Sequence, residues 1–103
     1  MAKPMKVRAR SGDGTTDVRI LMRHDMETGQ RKTADGGVIP AHFIQNVTVR
    51  HGERVVLFAQ WGAAVSKNPY LAFRFLGGNP GDRIEVTWVD NKGDSRTDET
   101  MIT

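Results

Sequence analysis

The chain has 103 residues, a formal net charge of +3 at pH 7 and no cysteine. This length suits a single domain, residues 1–103, with a core of its own but little room for an internal active site. The absence of cysteine excludes disulfides, thiolate metal sites and cysteine nucleophiles. The positive charge favours an anionic ligand, a nucleic acid or an acidic protein as partner, or is only a solvated surface.

The first half of the chain predicts three strands. Residues 5–10 alternate between apolar and basic side chains, residues 17–24 alternate again, and residues 43–50 form a third such run. Alternation with a period of two is typical of a strand with one buried face. In the third run this pattern places Phe43 and Val47 on the inner face.

Residues 25–40 separate the second and third strands and show the period of neither a strand nor a helix. A loop of this length in a small domain is often functional, although a plain excursion remains an alternative. The loop ends in Val38, Ile39 and Pro40, which are apolar and are expected to pack against something.

The second half begins with residues 55–61, which are apolar on both faces. Such a strand is either central in a sheet or covered by a partner. After a loop of small residues, Asn68 and Pro69 mark a boundary, because proline drives the preceding residue towards an extended conformation. The next strand, residues 70–76, places Phe73 and Phe75 on its inner face.

Two further strands complete the chain. Residues 83–90 alternate cleanly, with Trp88 among the inward positions, and residues 95–102 are polar enough to protect a sheet edge. About seven short strands with turns between them, and no helical period, predict an all-β protein. The fold class is an immunoglobulin-like antiparallel β-sandwich of about seven strands.

The residue types that could carry chemistry do not form a recognisable motif. His24, His42 and His51 lack the short spacing of metal ligands, and His42 is expected to pack against the fold and bond to backbone. We therefore predict no metal, no cofactor and no catalytic residue. The carboxylates near the last turn are interpreted as solvated; they are Asp90, Asp94, Asp98 and Glu99.

Arginines on the first two strands could form a basic stripe, made of Arg8, Arg10, Arg19 and Arg23. Nucleic-acid binding on a small β-domain usually also requires exposed aromatic residues for stacking, and most aromatic residues here fall on inner faces. A basic nucleic-acid or anion-binding β protein is therefore kept as the alternative function.

Four segments carry a family resemblance. In chain order they are DMETGQRK, VIPAHFI, WGAAVSKNPYLAFRF and WVDNKGD. Together they resemble the SoxZ family, the small subunits of the sulfur-carrier complex of the Sox thiosulfate-oxidation system. The resemblance runs from about residue 18 to residue 100 and carries little information before residue 11.

The resemblance implies a non-catalytic subunit that binds and stabilises a SoxY-type subunit, whose C-terminal arm carries the sulfur intermediate on a cysteine. It also implies that other Sox enzymes dock on the heterodimer, and that no nucleic acid or membrane is a partner. Since residues 1–11 lack a signal peptide, a periplasmic location requires export with the partner. We expect the isolated chain to be able to self-associate through the same apolar surface.

We place the partner interface at the end of the long loop and around the loop that precedes the fifth strand. Loops at the ends of sandwiches and strands that are apolar on both faces are common binding surfaces. The candidate residues are Val38, Ile39, Pro40, His42, Phe43, Trp61, Ser66, Asn68, Pro69 and Tyr70.

Overall fold

The computed structural model describes residues 2–103 and contains seven strands. Their bounds are β1 (Lys6–Gly12), β2 (Thr15–Leu21), β3 (Ile44–His51), β4 (Arg54–Gln60), β5 (Tyr70–Leu76), β6 (Arg83–Asp90) and β7 (Ser95–Met101). Within the described residues there is no helix that is long and apolar enough to cross a membrane.

The strands form two antiparallel sheets. One has three strands in the order β1-β2-β5, and the other has four strands in the order β4-β3-β6-β7. The two sheets pack face to face, which confirms the predicted immunoglobulin-like β-sandwich. Tight turns join β3 to β4 and β6 to β7, where Gly52 and Gly93 take positive φ angles of 61° and 83°.

The core lies between the sheets and is built from alternate strand positions. Val18 and Ile20 of β2 and Val47 and Val49 of β3, on the inner faces of the two sheets, are all fully buried. Burying each such side chain contributes about 1.5–3 kcal/mol. The remaining inward positions of β6 are also buried, namely Ile84, Val86 and Trp88, so Trp88 is a core residue as predicted.

A β-bulge corrects the predicted inner face of β3. The pairing of β3 with β6 shifts between Ile44 and Asn46, so one extra residue interrupts the alternation. Ile44 is consequently fully buried, whereas Phe43 lies before the strand and is only half-buried. Strict period-two counting cannot detect an inserted residue, which is why the sequence assigned Phe43 to the core face.

The apolar strand β4 is an edge strand, because it pairs only with β3. The interpretation of residues 55–61 as a central strand is therefore wrong, and the alternative of a strand covered by a partner remains. A second register shift, opposite Val49 and Arg50, places Val55 beside Arg50 on the outer face. By contrast, β7 lies at the other edge of the same sheet, as its polar sequence predicts.

One side of the sandwich is closed. There β1 packs beside β7, and the backbone N–H of Met5 donates to Asp98 Oδ2 at 2.8 Å. The C-terminal residue extends this seam, since the N–H of Ser11 donates to the Thr103 carbonyl and the N–H of Thr103 donates to the Ala9 carbonyl, each at 3.0 Å. Two backbone groups on the outer edge of β1, the Ala9 carbonyl and the Ser11 N–H, are thereby paired within the chain.

The long loop 25–40 is more ordered than its sequence predicts. It folds back on itself through isolated bridges between Glu27 and His42 and between Lys32 and Val38. Met26, which the sequence assigned to the loop, is buried at 5% exposure and joins the core. The loop thus carries His42 to the end of the sandwich where β6 finishes.

Candidate functional site

Asp90, the last residue of β6, is the centre of a buried polar cluster. Its side chain is fully buried, and its Oδ2 atom lies 3.0 Å from His24 Nε2 and 2.7 Å from His42 Nε2. His24 follows β2 and His42 ends the long loop, so three separate parts of the chain meet at one carboxylate oxygen. We call His24, His42 and Asp90 the Asp90 cluster.

The second oxygen of Asp90 holds the turn between β6 and β7. Asp90 Oδ1 accepts the backbone N–H groups of Lys92 at 3.0 Å and Asp94 at 2.9 Å. Burial raises the pKa of Asp90, but the hydrogen bonds from His24, His42 and these two N–H groups outweigh it and keep the pKa below its usual value. Asp90 is therefore an ionised carboxylate whose lone pairs are all occupied within the chain.

Neighbouring groups fix the orientation and tautomer of His24. The backbone N–H of Met26 donates to His24 Nδ1 at 3.0 Å, so Nδ1 must be the unprotonated nitrogen. The proton of the neutral ring then lies on Nε2, where it donates to Asp90. His24 also makes edge contacts with the rings of His42 and Trp88, at centroid distances of 4.4 and 5.1 Å.

Asn68 ties the loop before β5 to the same cluster. Its side-chain Oδ1 accepts the N–H of His24 at 3.1 Å, and its own N–H donates to the His24 carbonyl at 2.9 Å. This exchange requires Asn68 to adopt a positive φ of 52°, which asparagine tolerates better than most residues. The adjoining Pro69 is buried, so it fixes the entry into β5 and presents little surface of its own.

The sequence interpretation of these groups is wrong in two respects. Asp90 was expected to be solvated but is buried, and His42 bonds through its ring to Asp90 rather than to backbone. A usable signal was present for Asp90, because it shares the parity of Ile84, Val86 and Trp88 in β6 and therefore points inward. His24 carried the same signal, because it shares the parity of Val18, Ile20 and Met22, whereas His42 carried none and reaches Asp90 only through the fold of the long loop.

The Asp90 cluster has the residue types of a metal site but not its surroundings. Its ligand atoms, one each from His24, His42 and Asp90, all lie within 4.8 Å of one another. A metal-bound histidine normally donates its other ring N–H to an acceptor. Because His24 Nδ1 faces the N–H donor of Met26, His24 cannot bind a metal through Nε2 while remaining neutral. The donor set therefore fits a hydrogen-bonded structural cluster better than a metal ion.

A shallow pocket of about 340 Å³ opens above the cluster. His42 is the accessible member, with 27% of its side chain exposed. Three cationic and three anionic side chains line the pocket, so their charges largely cancel. The cationic ones are Lys3, Arg23 and Lys67, and the anionic ones are Asp25, Asp90 and Asp94. The pocket consequently has no strong preference for an anion.

The second unusual surface is the side of the sandwich opposite the closed one. There β4 and β5 are the edge strands of the two sheets, and within residues 2–103 neither has a neighbouring strand on its outer side. Between their ends, Arg54 Nη2 donates to the Leu76 carbonyl at 3.2 Å. We call this surface, formed by β4 and β5, the open edge.

Large apolar side chains are exposed along the open edge. The outward ones are Val55, Phe58, Tyr70 and Leu76, with exposures of 46%, 56%, 60% and 79%. The inward ones are only half-buried, although they point towards the core; they are Leu57, Leu71 and Phe73. An exposed apolar edge with unpaired backbone groups is a template for association, which natural proteins normally avoid unless it is used.

The predicted interface residues fall into three groups. His42 and Asn68 meet at the Asp90 cluster, together with the buried Pro69. Tyr70 begins β5 at the open edge, while Trp61 follows β4 directly and is half-buried. The others lie in the loops at this end: Val38, Pro40 and Ser66 are exposed, and Ile39 and Phe43 are half-buried.

The sequence-based list did not include Val55, Phe58 and Leu76, although the two-faced apolar character of residues 55–61 had indicated a covered strand. Leu76 gave no signal, because a terminal leucine in an alternating strand looks ordinary.

Comparison with known families identifies the chain. A family model described as sulphur oxidation protein SoxZ matches residues 5–101 of the 103-residue chain. No curated protein sequence matches it. The match covers all seven strands, the Asp90 cluster and the open edge. The chain therefore belongs to the SoxZ family and has a role in sulfur oxidation by the Sox system.

Proposed function

We propose that this chain is the non-catalytic subunit of a sulfur-carrier heterodimer, and that it binds and stabilises a SoxY-type subunit through the open edge. In this proposal the partner carries the sulfur intermediate on the cysteine of its C-terminal arm, and other Sox enzymes dock on the heterodimer. The observation that carries the proposal is the apolar surface of β4 and β5, which no part of residues 2–103 covers.

The open edge suits a permanent partner for energetic reasons. Phe58 and Leu76 are more than half exposed, and Leu57 and Phe73 are buried only in part. Removing apolar surface from water is favourable by about 25 cal/mol for each Å², before the entropic cost of association is subtracted. The free backbone groups of two edge strands can also pair with a partner strand. Both contributions are lost when the subunit is alone, so the isolated chain should self-associate.

The chemistry of the Asp90 cluster supports a non-catalytic role. Asp90 accepts four hydrogen bonds from groups of this chain, which fills the capacity of a carboxylate. His24 is fixed as a hydrogen-bond donor by Met26 and Asp90 together. A catalytic acid or base must exchange a proton with a substrate, and these two side chains are fully engaged elsewhere.

We further propose that the heterodimer works in the periplasm and that this chain is exported bound to its partner. Co-expression with the partner carrying its own export signal, followed by cell fractionation, tests this point. Recovery of this chain in the periplasmic fraction only when the partner is present is the expected result. Periplasmic recovery of this chain alone would contradict the proposed export route.

The experiment for the main proposal is co-expression with a SoxY-type subunit, followed by mass measurement of the intact complex. The test variant is Phe58→Glu with Leu76→Glu, which places two charges on the open edge. The matched control is Val89→Glu with Met101→Glu, because these residues are 36% and 68% exposed but lie on β6 and β7.

We expect a one-to-one complex with the unchanged chain and with the control, and at least about 100-fold weaker association with the test variant. Such a loss corresponds to about 2.7 kcal/mol, which is within the range of interface hot spots. Equal heterodimer formation by the test variant and the control would contradict the proposed interface. Failure of the unchanged chain to form any complex would contradict the carrier assignment itself.

A further inference from the structure

The outer face of the three-stranded sheet is strongly basic. It presents Lys6, Arg8, Arg10, Arg19 and Arg74, and Asp17 is the one carboxylate that β1, β2 and β5 contain. The strand register sets these side chains in rows, with Arg8 opposite Arg19 and Asp17 between Arg10 and Arg74. We call this surface the basic face. Arg23 is not part of it, because it lies beyond β2 and lines the pocket of the Asp90 cluster.

One row of the basic face already shows how a carboxylate fits. Arg74 Nε donates to Asp17 Oδ1 at 2.5 Å, and Arg74 Nη2 donates to Asp17 Oδ2 at 3.4 Å. The hydrogen bond from Arg74, with the charges of Arg74, Arg19 and Arg10, lowers the pKa of Asp17 despite some desolvation. A carboxylate between these strands therefore meets a guanidinium in the two-point geometry that arginine favours.

The neighbouring row has no such carboxylate. Arg8 and Arg19 face each other across β1 and β2, and the next residue in the row is Ala72 of β5. Like charges directly opposite one another in a sheet are destabilising. A depression of about 250 Å³ lies among Arg8, Arg10, Asp17 and Arg19. The row thus combines unmatched positive charge with space for acidic groups.

We propose that the basic face binds an acidic surface of a protein partner, whose carboxylates enter between Arg8 and Arg19 as Asp17 does beside Arg74. The rim of the face favours a protein over a nucleic acid, since it carries the apolar Leu21 and Leu76. Bases would need aromatic stacking platforms, and Tyr70 at one corner is the one aromatic side chain on this outer face.

The basic face is separate from the open edge, which is the proposed carrier interface. It covers the outside of one sheet, whereas the open edge runs along the side of the sandwich, and the two meet only at the outward residues of β5. The basic face is therefore available whether or not a SoxY-type subunit binds the open edge. Because the basic face recognises its partner through charge, the affinity of this contact depends on salt concentration.

The test uses the full chain and two labelled probes, a polyglutamate peptide and a single-stranded oligonucleotide of the same net charge. Binding is measured by fluorescence anisotropy at low and at physiological salt. The test variant is Arg8→Gln with Arg19→Gln. The control, Lys32→Gln with Arg50→Gln, removes the same charge from exposed sites elsewhere. Amide shifts on adding the peptide locate the binding surface.

We expect the test variant to bind the peptide about tenfold more weakly at low salt, and the control to stay within about twofold of the unchanged chain. Amide shifts should cluster in β1 and β2. Tighter binding of the oligonucleotide than of the peptide would overturn the assignment to an acidic protein. Equal losses in the two variants, or shifts spread over all cationic residues, would overturn the basic face as a specific site.

Discussion

The Asp90 cluster and the open edge differ in whether their groups find partners within the chain. Buried Asp90 has a hydrogen-bond partner from this chain on each oxygen, and His24 has one on each ring nitrogen. At the open edge, Phe58 and Leu76 are more than half exposed, and two strand edges have no neighbour. The first region is complete within one chain, whereas the second becomes complete only when something covers it.

This difference separates stability from binding. A saturated buried cluster fixes the ends of β2 and β6 and the loop before β5, so damage to it should unfold the isolated chain. Apolar surface that is still in contact with water contributes little to the isolated fold, so damage there should appear mainly in association.

The largest expected effect compares two phenylalanines of β5. Phe75 is buried at 8% exposure, whereas Phe73 is half-buried at the open edge, although both point inward. Phe75→Ala should lower the free energy of unfolding of the isolated chain by about 3–5 kcal/mol. Phe73→Ala should cost about half as much in the isolated chain. Urea unfolding measures both, and equal losses would show that the open edge is packed as tightly as the core.

The second effect concerns Asp90. We expect Asp90→Asn to lower the free energy of unfolding by about 2–4 kcal/mol, because an amide cannot accept hydrogen bonds on both of its heavy atoms. Asp94→Asn is the control, since the Asp94 side chain is exposed and accepts only the N–H of Ser95. The control should change stability by no more than about 0.5 kcal/mol. A similar small change in both variants would mean that the cluster does not hold the fold.

The third effect is a dependence on pH. Hydrogen bonds from His24, His42 and backbone N–H groups outweigh burial and keep the pKa of Asp90 low, and the Arg96 guanidinium does the same for the pKa of Asp98. For a lowered folded-state pKa, the stabilisation is present above the unfolded value and is lost as pH falls through the folded value. Stability should therefore decline below about pH 4, since an unfolded aspartate has a pKa near 3.9.

The carboxyl-to-amide variant gives the control for this pH effect. Asp90→Asn cannot ionise at this position, so its stability should fall less steeply below about pH 4 than that of the unchanged chain. Urea midpoints measured at several acidic pH values provide the comparison. Parallel curves for the two proteins would show that Asp90 does not contribute to the acid sensitivity.

The smallest expected effect is Phe58→Thr on the outer face of β4. Threonine retains a high strand propensity, and the phenylalanine is 56% exposed, so the isolated chain should lose no more than about 0.5–1 kcal/mol. Its self-association, measured by sedimentation at rising concentration, should nevertheless weaken. Unchanged self-association would show that Phe58 is not part of the contact.

The sequence predicted the sandwich well because its strands alternate clearly. The bounds of β5 and β6 agree with the predicted residues 70–76 and 83–90, and Trp88 lies in the core. The misplacement of Phe43 came from an inserted bulge residue, which a regular period cannot show. The sequence could not decide whether β4 is a central or an edge strand, because an apolar strand has the same pattern whether a second sheet or a second protein covers it.

The Asp90 cluster could not be predicted as a cluster, because its members are far apart along the chain. His24 and Asp90 are separated by 66 residues and meet only because the two sheets pack together, and the return of the long loop adds His42. The inward direction of Asp90 and of His24 was predictable, because Asp90 shares the parity of Trp88 in β6 and His24 that of Met22 after β2; that the two side chains meet was not. The partner surface was partly predictable: Tyr70 and Trp61 lie at or beside the open edge, but the exposed Phe58 had to be seen in the structure.

The most direct test of the central claim is hydrogen exchange of the backbone amides, with and without a SoxY-type subunit. Amides of an uncovered edge strand exchange quickly, and burial in an interface slows them. We predict that the partner slows exchange in β4 and β5 and leaves β1 and β7 unchanged, because β1 packs beside β7 and Thr103 bonds to the edge of β1 on the opposite side of the sandwich. Slowed exchange confined to β1 and β7, with none in β4 and β5, would contradict the open edge as the carrier interface.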